Sequence, residues 1–111
     1  RLPHRRRQET MIVDIQGEFD LYVSPLFQEK MKEIDLESVD GVIIDFSRVE
    51  YIDSSGLGAM VGLRKKLLMT DTPLLIAGAN DSVKKIIHLT HLENLITTVA
   101  DINAAIELIR P

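Results

Sequence analysis

The chain has 111 residues, 45% hydrophobic and 5% aromatic, with no cysteine, no tryptophan and a formal net charge of -4. That length and apolar content suit one compact domain and exclude a disordered tail, while the missing thiols exclude disulfide scaffolds, thiolate metal sites and cysteine catalysis. The acidic balance disfavours direct nucleic-acid binding, and no apolar run nears the roughly 20 residues that span a bilayer.

Residues 1–111 are expected to form a single domain. Residues 1–9 read as a basic arm around Arg5-Arg6-Arg7, or as a short edge strand at Leu2–His4 that Pro3 disfavours. No apolar segment follows these arginines, so a cytoplasmic location without a secretory signal is expected. Thr10–Gln16 alternates Met11, Val13 and Ile15 with polar neighbours and predicts a strand with one wetter face. Gly17-Glu18-Phe19-Asp20 is expected to break it. Ser24-Pro25 predicts a helix with serine as its cap and proline at its first position, carrying Phe27, Met31 and Ile34 as a stripe.

Asp40-Gly41 reads as a turn, and Val42–Phe46 as a central strand covered on both faces. A loop through Val49, Tyr51 and Ile52 then leads to Asp53-Ser54-Ser55-Gly56, where a helix begins. Leu57, Met60, Val61, Leu67 and Leu68 fall at helical spacing, with Arg64, Lys65 and Lys66 mainly opposite. Thr72-Pro73 stops that helix before a buried strand, Leu74–Ala77. Asp81-Ser82 is expected to cap a helix carrying Val83, Ile86 and Ile87. Ile96–Val99 predicts a last strand, and Asp101 caps a closing helix with Ile102, Ala105, Ile106 and Ile109 on one face. This alternation predicts an α/β domain: a four- to five-stranded mixed, mainly parallel sheet with about four helices.

Catalytic patterns are weak. His88 and His91 are three residues apart, but no further ligands accompany them, so a structural or surface role is expected and no metal or cofactor. A G-x-S-x-G elbow is absent at Ser54, which follows Ile52-Asp53. Gly56, Gly58 and Gly62 give G-x-G-x-x-x-G, one residue too long for a dinucleotide fingerprint. Close approach of helix and sheet explains Gly58 and Gly62 more simply. Glu18 and Asp20 have no acid/base partner in the sequence.

Asp53-Ser54-Ser55-Gly56 supports two readings. One is helix capping alone, worth about 0.5–2 kcal/mol. The other adds regulation: a phosphate at a helix N-terminus meets free N–H groups and the positive end of the dipole, and brings a charge of about -1.5 to -2.

Three segments together resemble the STAS domain, in particular the bacterial anti-sigma factor antagonists. They are Gly17-Glu18-Phe19-Asp20, then Val42–Phe46 followed by Tyr51-Ile52-Asp53-Ser54-Ser55-Gly56-Leu57-Gly58, and Thr90-His91-Leu92. The resemblance spans roughly Thr10 to Ile109. It implies a STAS-like fold and a protein that is not an enzyme. The unmodified form would bind an anti-sigma factor that is itself a serine kinase, releasing the sigma factor. Phosphorylation of Ser54 would end that binding, and a phosphoserine phosphatase would restore it. Asp20, Asp53, Ser54, Ser55, Gly56 and Leu57 would face the partner, and a monomer is expected. The alternatives are a STAS scaffold or sensor domain of a larger signalling assembly, and a small nucleotide-binding domain.

Overall fold

The computed structural model describes residues 9–111. Four strands, β1 (Glu9–Phe19), β2 (Val39–Ile52), β3 (Leu74–Ala77) and β4 (Thr97–Val99), form one sheet in the order β1-β2-β3-β4. Every described pairing is parallel. Parallel neighbours need crossover connections, and these are supplied by α1 (Ser24–Lys32), α2 (Ser54–Leu68) and α3 (Asp81–Leu89). The closing helix is α4 (Ile102–Ile109). The expected small α/β domain is therefore present. The edge strand proposed at Leu2–His4 and the arginine cluster lie outside the described residues.

Strand alternation divides the interior in two. Ile15, Val42, Ile44, Phe46 and Ile76 point into the larger core, where α1 contributes Phe27 and Met31, α2 Met60, Leu63 and Leu67, and α3 Val83 and Ile87. Ile43, Leu75 and Ala77 point the other way and meet Ala105 of α4, with Ile102, Ile106 and Ile109 around it. Gly41 lets α4 close down, since a Cβ there would lie 2.6 Å from Ile109 Cδ1. The carboxylate of Asp40 accepts hydrogen bonds from Thr10 Oγ1 and Arg110 Nε. Burial pushes the Asp40 pKa up, but these two donors and the Arg110 charge outweigh it and hold the carboxyl below its ordinary value.

Several boundaries differ from expectation. Asp40-Gly41 is strand rather than turn, and β2 continues past Phe46 through the expected loop to Ile52. Its partner explains this: β1 also runs on, through Gly17 to Phe19, and pairs with β2 as far as Phe19 opposite Ile52. Gly17 does not end the strand. It adopts φ 76° at a register shift, a conformation open to glycine without a Cβ penalty. Ser24 is the first residue of α1, not its cap. Asn80, not Asp81-Ser82, caps α3, its side chain accepting from the Val83 N–H at 2.8 Å. Asp101 caps α4 as expected. Leu68 is exposed rather than part of the buried stripe of α2.

The expectation for Gly58 and Gly62 fails. A Cβ added at either would meet nothing within 4 Å, so neither glycine permits a close approach inside the molecule. Glycine in a helix interior is about 0.5–1 kcal/mol worse than alanine. Gly62→Ala should therefore stabilise the protein by about that amount and raise Tm by about 4 °C. Thermal unfolding followed by circular dichroism checks this, and a lower Tm would refute the open-space assignment.

Candidate functional site

The site forms where β1 and β2 end. Phe19 and Ile52 are partners in register, so Asp20 and Asp53 leave the sheet side by side. Phe19 is fully buried and meets Phe27 and Phe46 edge-on, with ring centroids 5.1 and 6.1 Å away. These aromatic contacts, each about 0.5–1.5 kcal/mol beyond area burial, pin the end of β1 beneath the loop that follows.

Asp53 is the N-cap of α2 in extended backbone geometry. Its Oδ1 accepts from the N–H groups of Ser55 (2.8 Å) and Gly56 (3.0 Å). Its Oδ2 accepts from the Leu21 N–H at 3.2 Å, across 32 residues of sequence. Its own N–H donates to the Phe19 carbonyl at 3.2 Å. One residue thus starts α2 and ties it to the loop after β1.

Asp20 builds that loop. Its Oδ1 accepts from the N–H groups of Tyr22 (3.0 Å) and Val23 (3.1 Å), and its carbonyl accepts from the Ser24 N–H and Oγ–H, both at 2.8 Å. Gly56 is buried, and a Cβ there would lie 2.4 Å from the Phe19 carbonyl oxygen and 2.8 Å from Ile52 Cγ1. Here a glycine permits backbone contact between α2 and β1. Leu57 is half-buried against the larger core, and its N–H bonds the Asp53 carbonyl at 3.0 Å.

Ser54 is the first residue of α2 and is exposed. Among the described residues, no hydrogen bond engages its Oγ. Ser55 is half-buried, with its N–H committed to Asp53. Glu18 is exposed at the end of β1, opposite Tyr51 in register. The structure thus brings Asp20, Asp53, Ser54, Ser55 and Gly56 into one neighbourhood. His88 and His91 are exposed at the end of α3 and the turn after it, and His88 Nδ1 lies 2.6 Å from Glu93 Oε1. Among the described residues no group of three or more His, Asp or Glu side chains is placed to hold a metal ion.

The sequence reading missed an apolar ridge. Leu21 is 56% exposed, Tyr22 76% and Leu26, four residues on, 71%. Tyr51, at the end of β2, is also half exposed. Leu21-Tyr22 follows directly on Asp20, and two large side chains in a turn that has no core to face were the available signal. Large exposed apolar side chains grouped in one turn, as Leu21 and Tyr22 are, mark interaction sites more often than singly scattered ones do.

The sequence matches the family model described as the STAS domain over residues 2–105. It is 31% identical over 83 residues to the anti-sigma-B factor antagonist of Staphylococcus aureus (strain NCTC 8325 / PS 47), covering 75% of this chain and 77% of that one. A Thermotoga maritima protein, named as an anti-sigma factor antagonist candidate, has a crystal structure similar in fold, with a TM-score of 0.86 and 23% identity over 98% of this chain and 94% of that one. The phosphorylated form of the Bacillus cell fate determinant SpoIIAA also has a similar fold, with a TM-score of 0.69 and 22% identity over 99% of this chain and 96% of that one.

Proposed function

This chain belongs to the STAS domain family, and within it to the anti-sigma factor antagonists; from that premise we propose that it is a partner switch controlled by phosphate at Ser54, with no catalytic activity of its own. The unmodified protein binds an anti-sigma factor that is also a serine kinase, and the sigma factor is released. The kinase then transfers the γ-phosphoryl group of ATP to Ser54 Oγ: an O–P bond forms, the hydroxyl proton leaves to a kinase base, and ADP departs. The phosphorylated protein no longer binds. A phosphoserine phosphatase hydrolyses the ester and resets the switch. ATP and sigma factor are cytoplasmic, so the protein works there.

The observation that carries this reading is the exposed Ser54 hydroxyl at the start of a 15-residue helix. A phosphate there sits at the positive end of the helix dipole, so the fold can accept it without unfolding. The similar fold of SpoIIAA in its phosphorylated form supports that tolerance. For a docked partner the same phosphate is costly. It places about -1.5 to -2 charge beside the Asp53 carboxylate and must be stripped of water as the surfaces close.

Incubation of the protein with purified anti-sigma factor kinases of the host organism and ATP, followed by mass spectrometry, tests the reading. One phosphate on the peptide containing Ser54, and none on Ser54→Ala, is the expected result. Phosphate on Ser55, or no phosphate from any of these kinases, would overturn it.

A further inference from the structure

We propose that Asp53 is a positioning residue: its carboxylate locks the Leu21–Tyr22 ridge in register with the Ser54 hydroxyl, so that a single kinase surface meets both. The inference rests on the switch described above and adds the element that recognises the kinase.

A kinase active site can phosphorylate Ser54 only by bringing the ATP γ-phosphorus to within reacting distance of Oγ. Such a surface also covers what lies beside the serine. Asp53 precedes Ser54 in the chain and holds the Leu21 N–H at 3.2 Å through Oδ2. The backbone of Leu21, and with it the exposed side chains of Leu21 and Tyr22, therefore belongs to the covered area. A long side chain on a loose turn would lose conformational freedom on docking, and restraint before binding removes that cost. Asp20 shapes the turn from within, through Tyr22 and Val23. Among the described residues, Asp53 alone bonds it to the start of α2 through a side chain. The two oxygens divide the work, Oδ1 on the N–H groups of Ser55 and Gly56 and Oδ2 on that of Leu21. The occupant is accordingly the anti-sigma factor kinase, through an apolar surface beside its catalytic cleft that takes Leu21 and Tyr22 as anchors. Large, rigid side chains such as tyrosine dominate binding at interface centres.

Asp53→Asn separates the two roles. Asparagine caps helices as well as aspartate does, so its carbonyl oxygen keeps the bonds to Ser55 and Gly56, while its NH2 group turns the contact with the Leu21 N–H from attractive to repulsive. In the full chain, hydrogen exchange at Leu21 should speed up about tenfold, with Ser55–Leu57 unchanged. Phosphorylation of Asp53→Asn by the host kinases should show KM for the protein raised about tenfold at nearly constant kcat. Tyr22→Ala, which leaves the hydrogen bonds intact, should raise KM without changing exchange at Leu21. Unchanged exchange in Asp53→Asn overturns the lock, whatever the kinase assay gives. Faster exchange with an unchanged KM overturns the link to recognition. Failure of the unsubstituted protein to accept phosphate overturns the switch itself and the kinase as occupant, whereas the exchange result is independent of any partner.

Discussion

Ser54→Asp is expected to weaken binding to the anti-sigma factor about a hundredfold or more, a loss of about 3 kcal/mol, while Ser54→Ala binds almost as tightly as the parent. The contrast isolates charge from shape. Alanine removes a hydroxyl that has no hydrogen bond within the described chain, so little is left unsatisfied when the interface closes. Aspartate adds a carboxylate next to that of Asp53, which already accepts three N–H bonds and has little capacity left to relieve it. Burying a charge without a partner costs several kcal/mol, and the folded protein meets that cost only on docking. Thermal unfolding of Ser54→Asp should therefore stay close to the parent, because a carboxylate at a helix N-terminus is favourable in isolation. Isothermal titration calorimetry against the anti-sigma factor measures the effect. Equal affinity of Ser54→Asp and the parent would remove the electrostatic basis of the switch.

Gly56→Ala should damage the protein by a different route, lowering stability by about 2–3 kcal/mol and Tm by about 10 °C. An added Cβ would lie 2.4 Å from the Phe19 carbonyl oxygen and 2.8 Å from Ile52 Cγ1. Neither neighbour can yield cheaply. The Phe19 carbonyl is backbone and accepts the Asp53 N–H, and the Phe19 ring is wedged between Phe27 and Phe46. Relief requires α2 to lift from the end of β1, which also breaks the Asp53 bonds to the loop. Alanine's better helix propensity offsets at most about 1 kcal/mol of this. Gly62→Ala makes the control: the same substitution, in the same helix, with open space around it and the opposite expected sign. Urea and thermal unfolding of the pair read the difference directly. A Gly56→Ala protein as stable as the parent would contradict the contact between α2 and β1.

Much of this architecture was legible in the chain because it is written in local chemistry. Alternation in Met11–Ile15, the apolar run Val42–Phe46, the oxygen-rich start of α2 and the cap at Asp101 depend on neighbours a few residues away. The same local view misread Asp40-Gly41 as a turn and Val49–Ile52 as a loop. Asp-Gly suits a turn on its own, and Val49–Ile52 follows a break in the apolar run, yet pairing with β1 holds both segments in β2. The local view also assigned the close approach of helix and sheet to Gly58 and Gly62, whereas the structure places it at Gly56. Gly56 touches backbone that lies 37 positions earlier in the chain, at Phe19, whereas Gly58 and Gly62 face open space. Nothing in the spacing of the glycines distinguishes them.

The candidate site divides along the same line. By itself the sequence determined that an oxygen-rich stretch containing Ser54 opens a helix, since capping preference and helical period act over a single turn. Only the tertiary structure decided that this helix start would be bonded to Leu21, that Leu21 and Tyr22 would stand exposed beside the serine, and that Gly56 would have no room for a side chain. Those outcomes depend on the register that sets Phe19 opposite Ile52. Register is fixed by burying one face of every strand at once, a condition on the whole sheet that no short segment carries.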